Sequence, residues 1–110
     1  MRTIRKITET NEKVWFYLDS TETWKKFADT AEAEGFHFGS LPKGKWTSGY
    51  VVAVHSSGDM GHVPLFVWCI SFSSACSEGV RKIDFGKYIS GEEEYDCLVP
   101  HFKGRIIFPC

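Results

Sequence analysis

Residues 14–38 read V-W-F-Y-L-D-S-T-E-T-W-K-K-F-A-D-T-A-E-A-E-G-F-H-F, and this stretch decides the fold. Val14 to Leu18 is a β-branched and aromatic run with apolar residues at both parities, so it predicts a strand covered on both faces. Asp19 stands three residues before Glu22, a spacing like that of a capping box, and opens a helix expected from about Ser20 to Glu34. Trp24, Phe27, Ala28 and Ala31 fall at i, i+3, i+4 and i+7 and form one apolar stripe. Lys25, Lys26, Asp29, Glu32 and Glu34 take the solvent side. Gly35 sits where a left-handed residue ends a helix, and Phe36-His37-Phe38 resumes extended alternation with both rings on one face. The reading is strand, helix, strand.

Working outward, residues 1–12 are polar, with only Ile4 and Ile7 as apolar anchors, and are expected to be loosely ordered ahead of a domain over 13–110. Residues 39–49 concentrate turn formers around Trp46 and predict a long loop. Two strands are expected at 50–55 and 61–72, joined through a Gly58-Asp59 turn. That turn would set His55 opposite His62 and Tyr50 opposite Val67. Beyond a small-residue connection at 71–79, a strand over 80–89, a short helix from Glu92 to about Leu98 and a strand at 105–108 complete the pattern. The order β-α-β-β-β-β-α-β is α+β, a mostly antiparallel sheet with one main helix packed on a face.

Composition sets the broad class. With 110 residues, 43% hydrophobic and 15% aromatic, the chain suits one core better than two. Thirteen Lys and Arg against fourteen Asp and Glu give a net charge of -1, which points to neither a strongly basic nucleic-acid binder nor a strongly acidic mimic of DNA. The longest apolar run, 63–72, is about half the ~20 residues that a membrane span requires, so no membrane association is expected. No secretory signal follows the basic start, and the four cysteines are spaced unlike zinc knuckles. Free thiols in a cytoplasmic setting are the expectation.

Few residues suggest chemistry. His55 and His62, if they are cross-strand neighbours, form half of a metal site at most, since a catalytic zinc takes three protein ligands. They are the premise of one alternative, a small metal-dependent enzyme, although no catalytic residues and no cofactor are expected. No phosphate-cradling glycine loop, nucleophile elbow or H-E-x-x-H motif is present. Lys43, Lys45 and Trp46 form a small basic and aromatic contact in the long loop. Trp46 there has the character of a binding hot spot. The same three residues motivate a second alternative, a nucleic-acid-binding adaptor, although two lysines are too few to favour it. Glu92, Glu93, Glu94 and Tyr95 make an acidic patch that could meet an arginine cluster on a partner. Phe66, Trp68 and Ile70 line one parity of the expected long strand and suggest a homodimer.

The segment 14–39, ending A-E-A-E-G-F-H-F-G, and the later A-V-H-S-S-G of 53–58 resemble small proteins of bacteriophages and mobile elements of gut Firmicutes. In these the pattern is a short strand, a helix ending A-E-x-E-G-F-x-F-G, a loop and an A-V-H-x-x-G hairpin. The resemblance covers residues 14–63, and from Leu65 onward this chain departs from the pattern. The β-α-β start also resembles ferredoxin-like regulators that inhibit ribonucleases. What the resemblance implies is a stoichiometric inhibitor of a bacterial defence protein. An anti-CRISPR protein that occupies a surface of an effector nuclease in the host cytoplasm is the type, and no catalytic residues come with it.

Overall fold

In the computed structural model the described residues are 2–38, 51–64, 67–68, 80–97, 101–102 and 105–106. The strand expected at Val14 is β1 (Lys13–Tyr17), and the helix after it is α2 (Thr21–Ala33), preceded by a short α1 (Ile4–Thr8). Then follow β2 (Val51–His55), β3 (Met60–His62), β4 (Val80–Asp84), α3 (Phe85–Ser90), β5 (His101–Phe102) and β6 (Arg105–Ile106). Four strands form one mixed sheet in the order β3-β2-β1-β4, and β5 pairs with β6 separately. The fold is a single α+β domain.

β1 lies inside the sheet, antiparallel to β2 with Phe16 opposite Val52, and parallel to β4 with Phe16 opposite Ile83. One face carries Val14, Phe16, Val52, Val54 and Ile83 into the main core, where they meet Ile4 and Ile7 of α1, Trp24, Phe27, Ala28 and Ala31 of α2, and Phe85 and Tyr88 of α3. The other face carries Tyr17 and Val51 into a smaller core with Trp68, and the Tyr17 and Trp68 rings stack at 6.2 Å. Burial on both faces is what the two-parity pattern of 14–18 requires.

Several local expectations are corrected. The N-terminal segment is ordered: Ile4 is 0% exposed, and the Glu34 carboxylate, thirty residues away, accepts hydrogen bonds from the Ile4 and Arg5 amides. Thr3 caps α1 locally, its hydroxyl accepting from the Lys6 amide, and Glu34 satisfies two further first-turn donors from a distance. The cap of α2 is Ser20, whose hydroxyl accepts from the Thr23 amide, while Asp19 accepts from the Thr23 hydroxyl at 2.6 Å. Gly35 takes the expected left-handed conformation at φ 86°. His37 and Phe38 are bridge residues rather than part of a described sheet strand, His37 pairing in parallel with Asp59.

The β2-β3 register also differs. The Gly58 amide bonds to the His55 carbonyl at 3.0 Å with Gly58 at φ 104°, giving a three-residue connection that sets Val54 opposite Met60 and Val52 opposite His62. A single left-handed glycine after a turn produces this longer connection in place of the two-residue turn. β3 ends at His62, and Val67 and Trp68 are helical, with the Trp68 amide bonded to the Pro64 carbonyl. Pro64 lacks the amide a ladder needs and suits a helix start. Trp68 is buried within its own chain, so it does not line an open strand face for a second copy; Phe66 and Ile70 lie outside the described residues.

β4 likewise stops early because Asp84 caps α3, its carboxylate accepting from the Lys87 amide. Gly91 at φ 94° then ends α3, so residues 92–97 are not a helix. They run beside β4, where the Asp84 amide bonds to the Tyr95 carbonyl at 2.7 Å and the Cys97 amide to the Lys82 carbonyl at 2.9 Å. Phe27 is 0% exposed, with its ring between Phe16 and Phe85. Phe27→Asp is expected to abolish cooperative thermal unfolding, because an unpaired buried carboxylate costs a large share of the about 5–15 kcal/mol that holds a domain together. A variant that melts like the wild type would remove α2 from the core.

Candidate binding groove and its acidic rim

β1 and β4 are parallel neighbours and leave the sheet at the same end, Tyr17 opposite Asp84. Each passes at once into a helix through an aspartate that hydrogen-bonds its first turn, Asp19 at α2 and Asp84 at α3. Both connections turn back onto the same sheet face, so α2 and α3 lie side by side over it. Here α2 and α3 border an open groove of about 740 Å³. Asp19, Glu22, Asp29, Asp84 and Glu92 face it against Lys26 and Lys87, a formal -3 on one side of a chain whose total is -1.

Asp84 is the least comfortable of these groups. Burial pushes its carboxyl above the usual aspartate range and the Asp19 charge adds to this, while the Lys87 amide hydrogen bond and ammonium work in the opposite direction. Gly86 lies where the two helix starts meet: a Cβ there would be in ordinary van der Waals contact with Asp84 Oδ1 at 3.4 Å and the Thr23 methyl at 4.0 Å.

The predicted patch at 92–95 divides into different roles. Glu92 faces the groove and accepts a hydrogen bond from the Ser90 hydroxyl, while its carbonyl, like that of Tyr88, accepts from the Arg2 guanidinium. Glu93 and Glu94 are exposed beside it. Tyr95 is an anchor: its ring meets Tyr88 edge-on at 5.0 Å, with the Arg2 and Arg81 guanidinium carbons 5.0 and 5.4 Å from its centroid. Arg81 in turn bonds both oxygens of Asp96, which raises the guanidinium pKa further.

The two histidines are not partners across the strands. His55 pairs with Lys13 of β1, and His62 lies opposite Val52, its ring stacked on Phe38 at 4.8 Å. Burial lowers the His62 pKa. Among the described residues no group of three or more His, Cys, Asp or Glu is placed to hold a metal ion. The Cys97 thiol is pushed up to about 12 by burial first and by the Asp84 charge, so it stays protonated and unreactive near neutrality. Lys43, Lys45 and Trp46 lie outside the described residues. No helix among the described residues is long and apolar enough to cross a membrane.

The arrangement presents carboxylate acceptors, two lysines and the Ile89 side chain in one concavity, a surface fitted to hold cationic groups. Sequence reasoning missed Asp84 and read Asp19 only as a helix start. The signal for both is an acid at the end of a strand and ahead of a helical stripe, which for Asp84 is Phe85, Tyr88 and Ile89. Comparison with protein-family models, with curated proteins and with solved structures finds no match to this chain.

Asp84→Asn keeps a capping acceptor and removes the half-buried charge. A carboxyl whose pKa is raised by folding adds stability below its unfolded value of about 3.9, and that stability is lost as pH rises through the folded value. The variant is therefore expected to melt higher than the wild type at pH 7 and to lose that advantage at pH 3. Equal or lower melting temperature at pH 7 would show that the charge stabilises α3 more than burial penalises it.

Proposed function

We propose that this chain is a non-enzymatic binding protein, encoded by a phage or mobile element, that inhibits a bacterial defence effector in the host cytoplasm by covering a basic surface on it. An effector nuclease of the CRISPR type is the partner class, because such a nuclease holds its guide and target in positively charged channels. The observation that carries the reading is the segregation of charge. The groove contributes -3 and the neighbouring Glu93 and Glu94 another -2, which leaves +4 on the rest of a chain whose total is -1. Acidic side chains gathered on one side imitate a run of phosphates and steer the protein onto a basic channel. The resemblance of residues 14–63 to small phage proteins supports the same class. The metal-dependent alternative loses its premise with the register that separates His55 from His62.

DNA cleavage by a panel of CRISPR effector nucleases from gut Firmicutes, titrated with the purified chain, tests the reading. At least one effector is expected to be silenced at a molar ratio near one. The double variant Glu93→Lys, Glu94→Lys should need about tenfold more protein or worse, since like charges brought together cost several kcal/mol. Full cleavage at large molar excess by every effector would overturn the proposal, and silencing by a small fraction of a molar equivalent would point to catalysis.

A further inference from the structure

We infer that Arg2 is the positioning residue for the acidic segment 92–96, holding it in one shape from ninety positions away in the sequence so that Glu93 and Glu94 are arranged before a partner arrives. The segment begins where Gly91, at φ 94°, ends α3 and turns the chain back beside β4. At its start the Glu92 amide donates to the Lys87 carbonyl at 3.1 Å. At its end the Tyr95 carbonyl accepts from the Asp84 amide at 2.7 Å, and Arg81 donates to both carboxylate oxygens of Asp96 at 3.0 and 3.3 Å. Glu93 and Glu94 stand exposed between these ends.

The Arg2 guanidinium touches both ends at once. Its Nη1 donates to the Tyr88 carbonyl in α3 at 3.1 Å and to the Glu92 carbonyl, while its central carbon lies 5.4 Å from the Tyr88 ring centroid and 5.0 Å from that of Tyr95. The two rings meet edge-on at 5.0 Å. A guanidinium suits this place because its planar fork donates several hydrogen bonds and its cation is also attracted to aromatic rings. Arg2 is itself anchored through the next two residues: the Thr3 carbonyl accepts from the Tyr88 hydroxyl at 2.6 Å, and Ile4 is 0% exposed. Ordering a loop at the moment of contact costs binding free energy, and a loop already held avoids that cost. This consequence rests on the occluding function proposed above, whereas the hold of Arg2 on the segment does not.

Nitrogen-15 relaxation of the backbone amides in the intact chain reads order on the picosecond to nanosecond scale and needs no partner. Glu93 and Glu94 are expected to show the order parameter of rigid backbone, about 0.85, and to fall below about 0.6 in Arg2→Gln, while β1 and α2 keep their wild-type values. Arg2→Lys, which retains the charge and loses the planar fork, should restore only part of the order. Mobile Glu93 and Glu94 amides in the wild type, unchanged order in Arg2→Gln, or order lost equally over the whole chain overturns the inference. With an effector that the chain inhibits, Arg2→Gln is expected to raise the inhibiting concentration about tenfold, and less than about twofold in a Glu93→Gln, Glu94→Gln background. The same loss in both backgrounds would make Arg2 a general structural support and overturn its positioning role. Should no effector be inhibited, the proposed function fails and the relaxation result decides the hold of Arg2 by itself.

Discussion

Three phenylalanine rings hold this molecule together. Phe16 of β1 meets Phe27 of α2 at 5.5 Å and Phe85 of α3 at 5.6 Å, and Phe27 and Phe85 meet edge-on at 5.2 Å. All three side chains are 0% exposed. Edge-to-face contacts among buried rings add to the stabilisation from burial alone and fix the angle at which each ring sits. Because each ring comes from a different element, the contact joins the central strand to both helices over the same sheet face. α1 then closes the near side, tied to α2 through Glu34 and to α3 through the Tyr88 hydroxyl, which donates to the Thr3 carbonyl at 2.6 Å.

The groove is a by-product of that junction. With Phe27 and Phe85 drawn together at the sheet, the outer faces of α2 and α3 diverge toward solvent and the two aspartates at the strand ends come to share the cleft between them. Capping explains why acids stand there, since Asp84 satisfies the first turn of α3 and Asp19 holds Thr23 at the start of α2. Local necessity thus places two acidic side chains in one cleft, and Glu22, Asp29 and Glu92 extend the same sign along it. The potential that would steer a basic partner therefore grows out of the way the helices begin. Arg2 and Arg81, spread over the Tyr95 ring, fasten the segment that carries Glu93 and Glu94 beside the groove.

What was legible in the sequence was local. The Trp24, Phe27, Ala28 and Ala31 stripe and the left-handed Gly35 need only neighbours within a few residues, and β1 to α2 came out as read. What was not legible depended on distant partners or on one backbone angle. Thr3 caps the helix that carries Ile4 and Ile7, a signal present in 1–12, but the hold of Glu34 on two of its first-turn amides comes from the far end of α2 and is not visible there. Gly58 alone changed the hairpin register and so separated His55 from His62. Residues 80–89 contain both a strand parity and the helical spacing Phe85, Tyr88, Ile89, and the capping carboxylate of Asp84 settles the change at residue 84. The groove was hidden for the same reason: Asp19 and Asp84 are 65 positions apart, and only the parallel pairing of β1 with β4 makes them neighbours. Of the acidic run, Glu92 lines the groove and Glu93 and Glu94 are exposed after it, whereas Tyr95 is held in place by rings and guanidinium groups.

The central claim is that Phe27 and Phe85 work as one unit across the helix pair, and a double-mutant cycle measures it directly. Phe27→Leu, Phe85→Leu and the double variant keep apolar volume while removing ring-to-ring contact, and denaturant unfolding of the intact chain gives the stability of each. The account predicts a coupling free energy of about 0.5–1.5 kcal/mol between the two positions. Additivity within about 0.3 kcal/mol, the behaviour of independent sites, would contradict it.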